Sequence, residues 1–164
     1  GILSREDAIK LGTTGSVLRA SGVDFDIRKN EPYDVYEELD FQTNVLKEGD
    51  SYARSKIPWL DMFESCRIIR DALQKMPKSG SVRIKLKPNP KGGDTEVYRR
   101  VESGRGSLGM HIVSRSKPQP YRLKISVPSF RNLIAMPYLL TGEKLGNLPP
   151  VYWSLNYWPV EADR

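Results

Sequence analysis

Residues 51–87 read SYARSKIPWLDMFESCRIIRDALQKMPKSGSVRIKLK, and within them the hydrophobic period changes from helical to extended. Apolar side chains recur at Trp59, Met62, Phe63, Cys66, Ile69, Ala72, Leu73 and Met76, in steps of three and four. Glu64, Arg67, Arg70, Asp71 and Lys75 fill much of the other face. This spacing predicts a helix from about Ser51 to Met76. Pro58 must kink that helix or lie in the first turn of its second part, because proline has no amide hydrogen to donate. Pro77 and Gly80 end it. From Ser81 the period is two. Val82, Ile84 and Leu86 alternate with Arg83, Lys85 and Lys87, the pattern of a half-buried strand. A long kinked helix followed by strands makes the class α+β.

Working outward, Pro88 to Asp94 is a turn-rich connection, and three more strands are expected over Thr95–Glu102, Leu108–Ser114 and Tyr121–Val127. The short Gly- or Pro-containing loops between them favour an antiparallel meander. Phe130 to Leu140 reads as a short helix interrupted at Pro137. Upstream, Ser4 to Gly12 forms a short helix, with Ser4 as its cap, Glu6 and Asp7 at its positive end and Gly12 as its stop. Gly15 and Gly22 bracket a loop-like stretch, Val17 to Ser21. Residues 30–41 are extended or turn-like, since Pro32 biases Glu31 away from helix. The expected organisation is a single domain over 1–164, helical to about residue 80, β over 81–128 and closed by a tucked C-terminal segment over 129–164.

Composition narrows the functional classes. With 164 residues, 38% hydrophobic and 28% charged, the chain can build one core and is too apolar to be disordered. It starts Gly1-Ile2-Leu3, without an initiating Met or a basic-then-apolar leader, and reads as a fragment or a processed product. No run of about 18 apolar residues is present, so nothing spans a bilayer and membrane association must come through partners. The net charge of +6 is spread along the chain, apart from a cluster at Arg83, Lys85, Lys87 and Lys91 that reads as the solvated face of a strand. This pattern disfavours nucleic acid as a partner. Cys66 is the one cysteine, which excludes an internal disulfide framework and a Cys-rich metal site. Phe63, Ile69 and Ala72 around it suggest a buried structural thiol. His111 has no second His or Cys nearby, so no metal site is expected.

Two places could carry chemistry. Gly104-Arg105-Gly106 lies between two expected strands. Composition favours a hairpin turn with an exposed arginine, the alternative being an arginine brought close to a ligand with its five donors in a fixed fork. The chain closes Glu161-Ala162-Asp163-Arg164, directly after the apolar Tyr157-Trp158-Pro159-Val160. A tucked terminus would bring Glu161, Asp163 and Arg164 into a partly buried place, where carboxylates need partners or shift their pKa. There is no P-loop, no GxGxxG after a strand and no nucleophile elbow. The chain shows no self-sufficient active site and could supply part of one.

Several stretches resemble the D-type, hydrogenase-like large subunit of complex I-type NADH–quinone oxidoreductases, a family similar to the large subunit of nickel–iron hydrogenases. They are GSVLRASGVDFDIRKNEPYDVYEELDF (Gly15–Phe41), ESCRIIRDALQKMP (Glu64–Pro77), EVYRRVESGRGSLGMHIVSRSKPQPYRLKISVPSF (Glu96–Phe130) and the ending Glu161-Ala162-Asp163-Arg164. They occur in the family's order and point to its C-terminal portion. The resemblance implies a part in two-electron reduction of a quinone, coupled to proton translocation and fed by an iron–sulfur cluster in a partner subunit. It implies no cofactor held by this chain alone, and NADH or a reduced deazaflavin as donor. The implied partners are the iron–sulfur subunit with the terminal cluster, a subunit of the C type and a membrane subunit, at the cytoplasmic face of the membrane. Arg105 matches the arginine of the family's Pro-Arg-Gly loop, and Asn156, Glu161, Asp163 and Arg164 match its cavity-lining C-terminal segment. Gly104 replaces the usual proline and Asn156 the usual aspartate. Bulky Tyr152-Trp153 and Tyr157-Trp158-Pro159 replace a more aliphatic run, so the pocket's shape is expected to differ. The alternatives are a subunit of a related membrane-bound hydrogenase or sulfur reductase, which would require metal-ligating cysteines near the C-terminus, and a basic binding module.

Overall fold

The helix at the centre of the sequence reading forms and organises the rest. In the computed structural model, which describes residues 1–85, 88 and 92–163, it spans Ser51–Lys75. Asp50 caps it by accepting from the Ala53 amide at 2.7 Å. Three short helices precede this element, α4: α1 (Arg5–Lys10), α2 (Ser16–Ala20) and α3 (Ile27–Asn30). Ser4 caps α1 through the Asp7 amide, as its sequence suggests. Three strands follow, β1 (Asp94–Ser103), β2 (Gly106–Arg115) and β3 (Arg122–Ser126), paired antiparallel in the order β1-β2-β3. The chain closes with α5 (Pro128–Leu133), α6 (Ala135–Leu140), α7 (Leu148–Ser154) and α8 (Pro159–Ala162). The α+β class and the meander are as expected.

Pro58 sits inside α4, which runs on through it. Four expectations are corrected. Val17–Ala20 is not a loop but belongs to α2, which is buried throughout and lies against the N-terminal half of α4. The period-two run from Ser81 makes no strand within the described residues 81–85, where Val82 is fully exposed; Leu86 and Lys87 lie outside the described residues. Alternation alone gives no strand when no neighbour supplies a ladder. The break between α5 and α6 falls at Ile134. Pro137 lies in the first turn of α6, where an amide hydrogen has no intrahelical partner to lose. Cys66 is exposed, not a buried thiol. Beyond Ile57, α4 projects past the core, leaving Trp59, Met62, Phe63, Ile69, Leu73 and Met76 each at least 58% exposed.

The core explains this split. Leu3, Ala8, Val17, Leu18, Ala135, Leu139, Val151 and Leu155 form its main cluster, joining the N-terminus, α1 and α2 to α6 and α7. A smaller cluster, Ala20, Ala53 and Ile57, holds the first turns of α4. Arg54 locks them together: fully buried, it donates to the carbonyls of Gly49 and Gly1 and to the hydroxyls of Ser51 and Ser154 at 2.8–3.0 Å. Burial pushes its guanidinium down to about 10, and it stays charged at neutral pH. The sheet is tied to this layer through Thr14, which accepts from the Ser107 amide at 3.1 Å and donates its own amide to Asn132 at 2.8 Å. No helix among the described residues is long and apolar enough to cross a membrane.

Candidate functional site

The β1–β2 turn, Gly104-Arg105, lands on the start of α2. Gly15 (φ +63°) and Gly106 (φ +132°) meet there backbone to backbone. A Cβ at Gly106 would lie 2.8 Å from the Gly15 nitrogen, and one at Gly15 would overlap the Arg105 carbonyl. Both positions therefore need glycine, and their contact fixes where Arg105 emerges. On the other side the C-terminal segment closes over the turn. Asn156, at φ +52°, reaches the Gly104 carbonyl through its amide at 3.5 Å, and the Arg105 guanidinium lies over the Trp158 ring, 5.6 Å from its centre.

Arg105 thus stands between two hollows. One, of about 290 Å³, is lined by Leu108, Met110, Ile125, Val127, Trp158, Val160 and Glu161. The other, of about 330 Å³, is charged and includes Arg19, Arg28, Asp61, Glu102 and Asn156. Arg19 bonds Asp61 at 2.5 Å and stands 3.7 Å from Glu102. Arg28 grips Asp26 with both arms, at 2.7 and 3.0 Å. Burial alone would raise the Asp26 carboxyl, but the Arg28 bonds outweigh it and hold it below the usual carboxylate range. Glu102 goes the other way. Burial, reinforced by Asp26 and Asp61, outweighs Arg19 and Arg28 and brings it up to about 7.

The expected site residues divide. Arg105 lines both hollows, Asn156 the charged one and Glu161 the apolar one. Glu161 is half-buried, accepting from the Ser129 amide at 3.2 Å and from its hydroxyl, and Ser129 in turn accepts from the Trp158 amide at 3.1 Å. This carboxylate fastens α8 to the first turn of α5. Asp163 is exposed and lines neither hollow. Arg164 lies outside the described residues. Sequence reading missed Arg19, Asp26, Arg28, Asp61 and Glu102. The available signal was Arg19 itself, one charge inside the otherwise uncharged Gly15–Ser21 stretch, which implies buried partners elsewhere. His111 pairs with Glu96 at 2.6 Å across β1 and β2. Among the described residues no group of three or more His, Cys, Asp or Glu side chains could hold a metal ion.

Known proteins share this arrangement's sequence and fold. The sequence model of the respiratory-chain NADH dehydrogenase 49 Kd subunit matches residues 1–92 and 85–164. The D 1 subunit of the NADH-quinone oxidoreductase of Chloroherpeton thalassium is 39% identical over all of this chain, which covers 43% of that protein. The D-type subunit of the Bacillus cereus NADH-quinone oxidoreductase is 43% identical over 99% of this chain, which covers 44% of it. Among solved structures, the membrane-bound sulfane sulfur reductase, an archaeal respiratory membrane complex, matches with a TM-score of 0.92 at 34% identity. That match covers 100% of this chain and 46% of the other. The chain spans less than half the length of these relatives. Since the family's sequence model extends from its first residue to its last, the chain belongs to the respiratory-chain NADH dehydrogenase 49 Kd subunit family.

Proposed function

We propose that this chain forms one wall of the quinone-reducing cavity of a complex I-type oxidoreductase and acts only inside that assembly. The observation that carries the reading is the place of Arg105. A glycine–glycine contact and the C-terminal segment hold it between a charged cleft and an apolar hollow. A fixed guanidinium beside an apolar hollow suits a flat ring with polar oxygens, and it stabilises negative charge as that charge develops on an oxygen. In this reading the electrons come from an iron–sulfur cluster in a partner subunit, the turnover drives proton translocation, and the chain sits peripherally on the cytoplasmic face of the membrane. Its other partners are a subunit of the C type and a membrane subunit. The exposed apolar seam of α4 is covered by a helix from the remainder of the same polypeptide, which the relatives' greater length supports.

The test is Arg105→Ala and Arg105→Lys in the assembled complex. Quinone reduction should fall by about tenfold or more in the alanine variant, with partial recovery in the lysine variant. Electron flow from the donor to a small artificial acceptor should be unchanged. Full quinone turnover in Arg105→Ala would defeat the reading. Likeness to the sulfane sulfur reductase favours a second reading, reduction of a sulfur compound in the same cavity. It requires that polysulfide, and not quinone, support turnover.

A further inference from the structure

Glu102 is the acid of the charged cleft that is held only by a long ion pair, to Arg19 at 3.7 Å. Its side chain is 14% exposed, and no described residue donates a hydrogen bond to its carboxylate. Arg19, on α2, gives its short contact to Asp61 of α4 and stays 3.7 Å from Glu102. Arg28, on α3, is taken up by the cap residue Asp26. The Tyr33 hydroxyl accepts from the Glu102 backbone amide at 3.0 Å and makes no hydrogen bond to the Glu102 carboxylate among the described residues. Arg105 lines the same cleft three residues further along the chain.

A carboxyl held away from water without a donor favours its neutral form, and this one is poised near 7. Its ionised form has a donor waiting. The Nε and Nη1 atoms of Arg19 are buried and have no hydrogen-bond partner among the described residues. Such unpartnered donors are costly, and an ionised Glu102 turning toward them would satisfy both groups at once. The cluster is therefore built for two states of one proton.

We propose that Glu102 is the proton-holding residue of the Arg105 cleft, giving its proton to an oxygen that becomes anionic against Arg105 and regaining one from water through the cleft mouth. The proposal rests on the reading of this cavity as quinone-reducing. In the transfer the Glu102 O–H bond breaks and an O–H bond forms on one oxygen of the doubly reduced quinone. Both electrons come from the partner's iron–sulfur chain, and the second proton comes from water. Glu102 remains as the carboxylate beside Arg19 until it is reprotonated.

The experiment compares wild type, Glu102→Gln and Glu102→Asp in the assembled complex across the neutral pH range, together with an infrared titration of protonated carboxyl groups. In wild type, turnover with quinone should fall above an apparent pKa near 7 as Glu102 loses its proton. Glu102→Gln should lose about tenfold or more at pH 7 and with it that limb of the profile. Glu102→Asp should keep the limb, displaced, while donor-to-artificial-acceptor activity is the same in all three. The infrared signal of a carboxyl titrating near neutrality should be present in wild type and missing in Glu102→Gln. Its absence from wild type, or an unaltered pH profile in Glu102→Gln, overturns the proposal. A wild type that shows the signal but does not reduce quinone overturns only the quinone reading.

Discussion

Glu102 lowers the folded chain's stability at alkaline pH, because burial opposes its ionisation. Its carboxyl is raised from 4.5 to about 7, so its contribution is fully present below pH 4.5 and is lost as pH rises through about 7. Between pH 5 and pH 8 the loss is about 2–3 kcal/mol. Replacing Glu102 with Gln removes the ionisation, and the difference in urea-unfolding free energy between those two pH values should shrink by about that amount. An unchanged difference would mean that the carboxyl is already well paired. Asp26 has the opposite sign: its lowered carboxyl stabilises the fold above the ordinary carboxylate range and stops doing so in acid. Little of this was legible in the sequence. Arg19, Asp61 and Glu102 are 42 and 41 residues apart in succession and meet only because α2 packs on α4 and the β1–β2 turn docks on Gly15. Arg105 was a candidate through the family resemblance, whereas composition favoured an exposed arginine in a hairpin turn; of its two flanking glycines only Gly106 makes a close backbone approach.

At the scale of elements, α4 shows why pattern and burial part company. Trp59, Met62, Cys66, Ile69, Leu73 and Met76 follow alternating steps of three and four, and the helix forms as that spacing predicts. The same spacing suggested that Cys66 is buried, yet the thiol and the seam are largely exposed among the described residues. Periodicity gives the face of a helix and is silent about what covers it. The run from Ser81 fails for a related reason: a strand needs a neighbour, and among the described residues none of β1, β2 and β3 pairs with residues 81–85. In α2, packing overrides two bracketing glycines that suggested a loop. If the rest of the polypeptide covers the α4 seam, Cys66 reports it. A maleimide should label the thiol rapidly in the 164-residue chain and many-fold more slowly in the assembled complex. Equal rates would place the seam in solvent in both.

For the whole molecule, the candidate site lies where the helical layer, the hairpin turn and the C-terminal segment converge, and each contributes a different property. The glycine contact sets position, the charged cleft sets proton affinity, and Trp158 with the inner face of the sheet supplies apolar surface. The aromatic run suggested a tucked chain end, and the structure brings Glu161 to Ser129 while leaving Trp158, Val160 and Asp163 exposed. That Glu161 serves as its fastening to Ser129 was not legible in the sequence, since the bond depends on where α5 starts. The relatives are more than twice as long as the stretch they share with this chain. A photoreactive quinone analogue, applied to the assembled complex and mapped by mass spectrometry, tests the central claim most directly. Adducts that excess quinone suppresses should fall within residues 102–110 and 156–163. Competition-sensitive adducts that never touch either stretch would contradict a quinone cavity walled by the Arg105 turn.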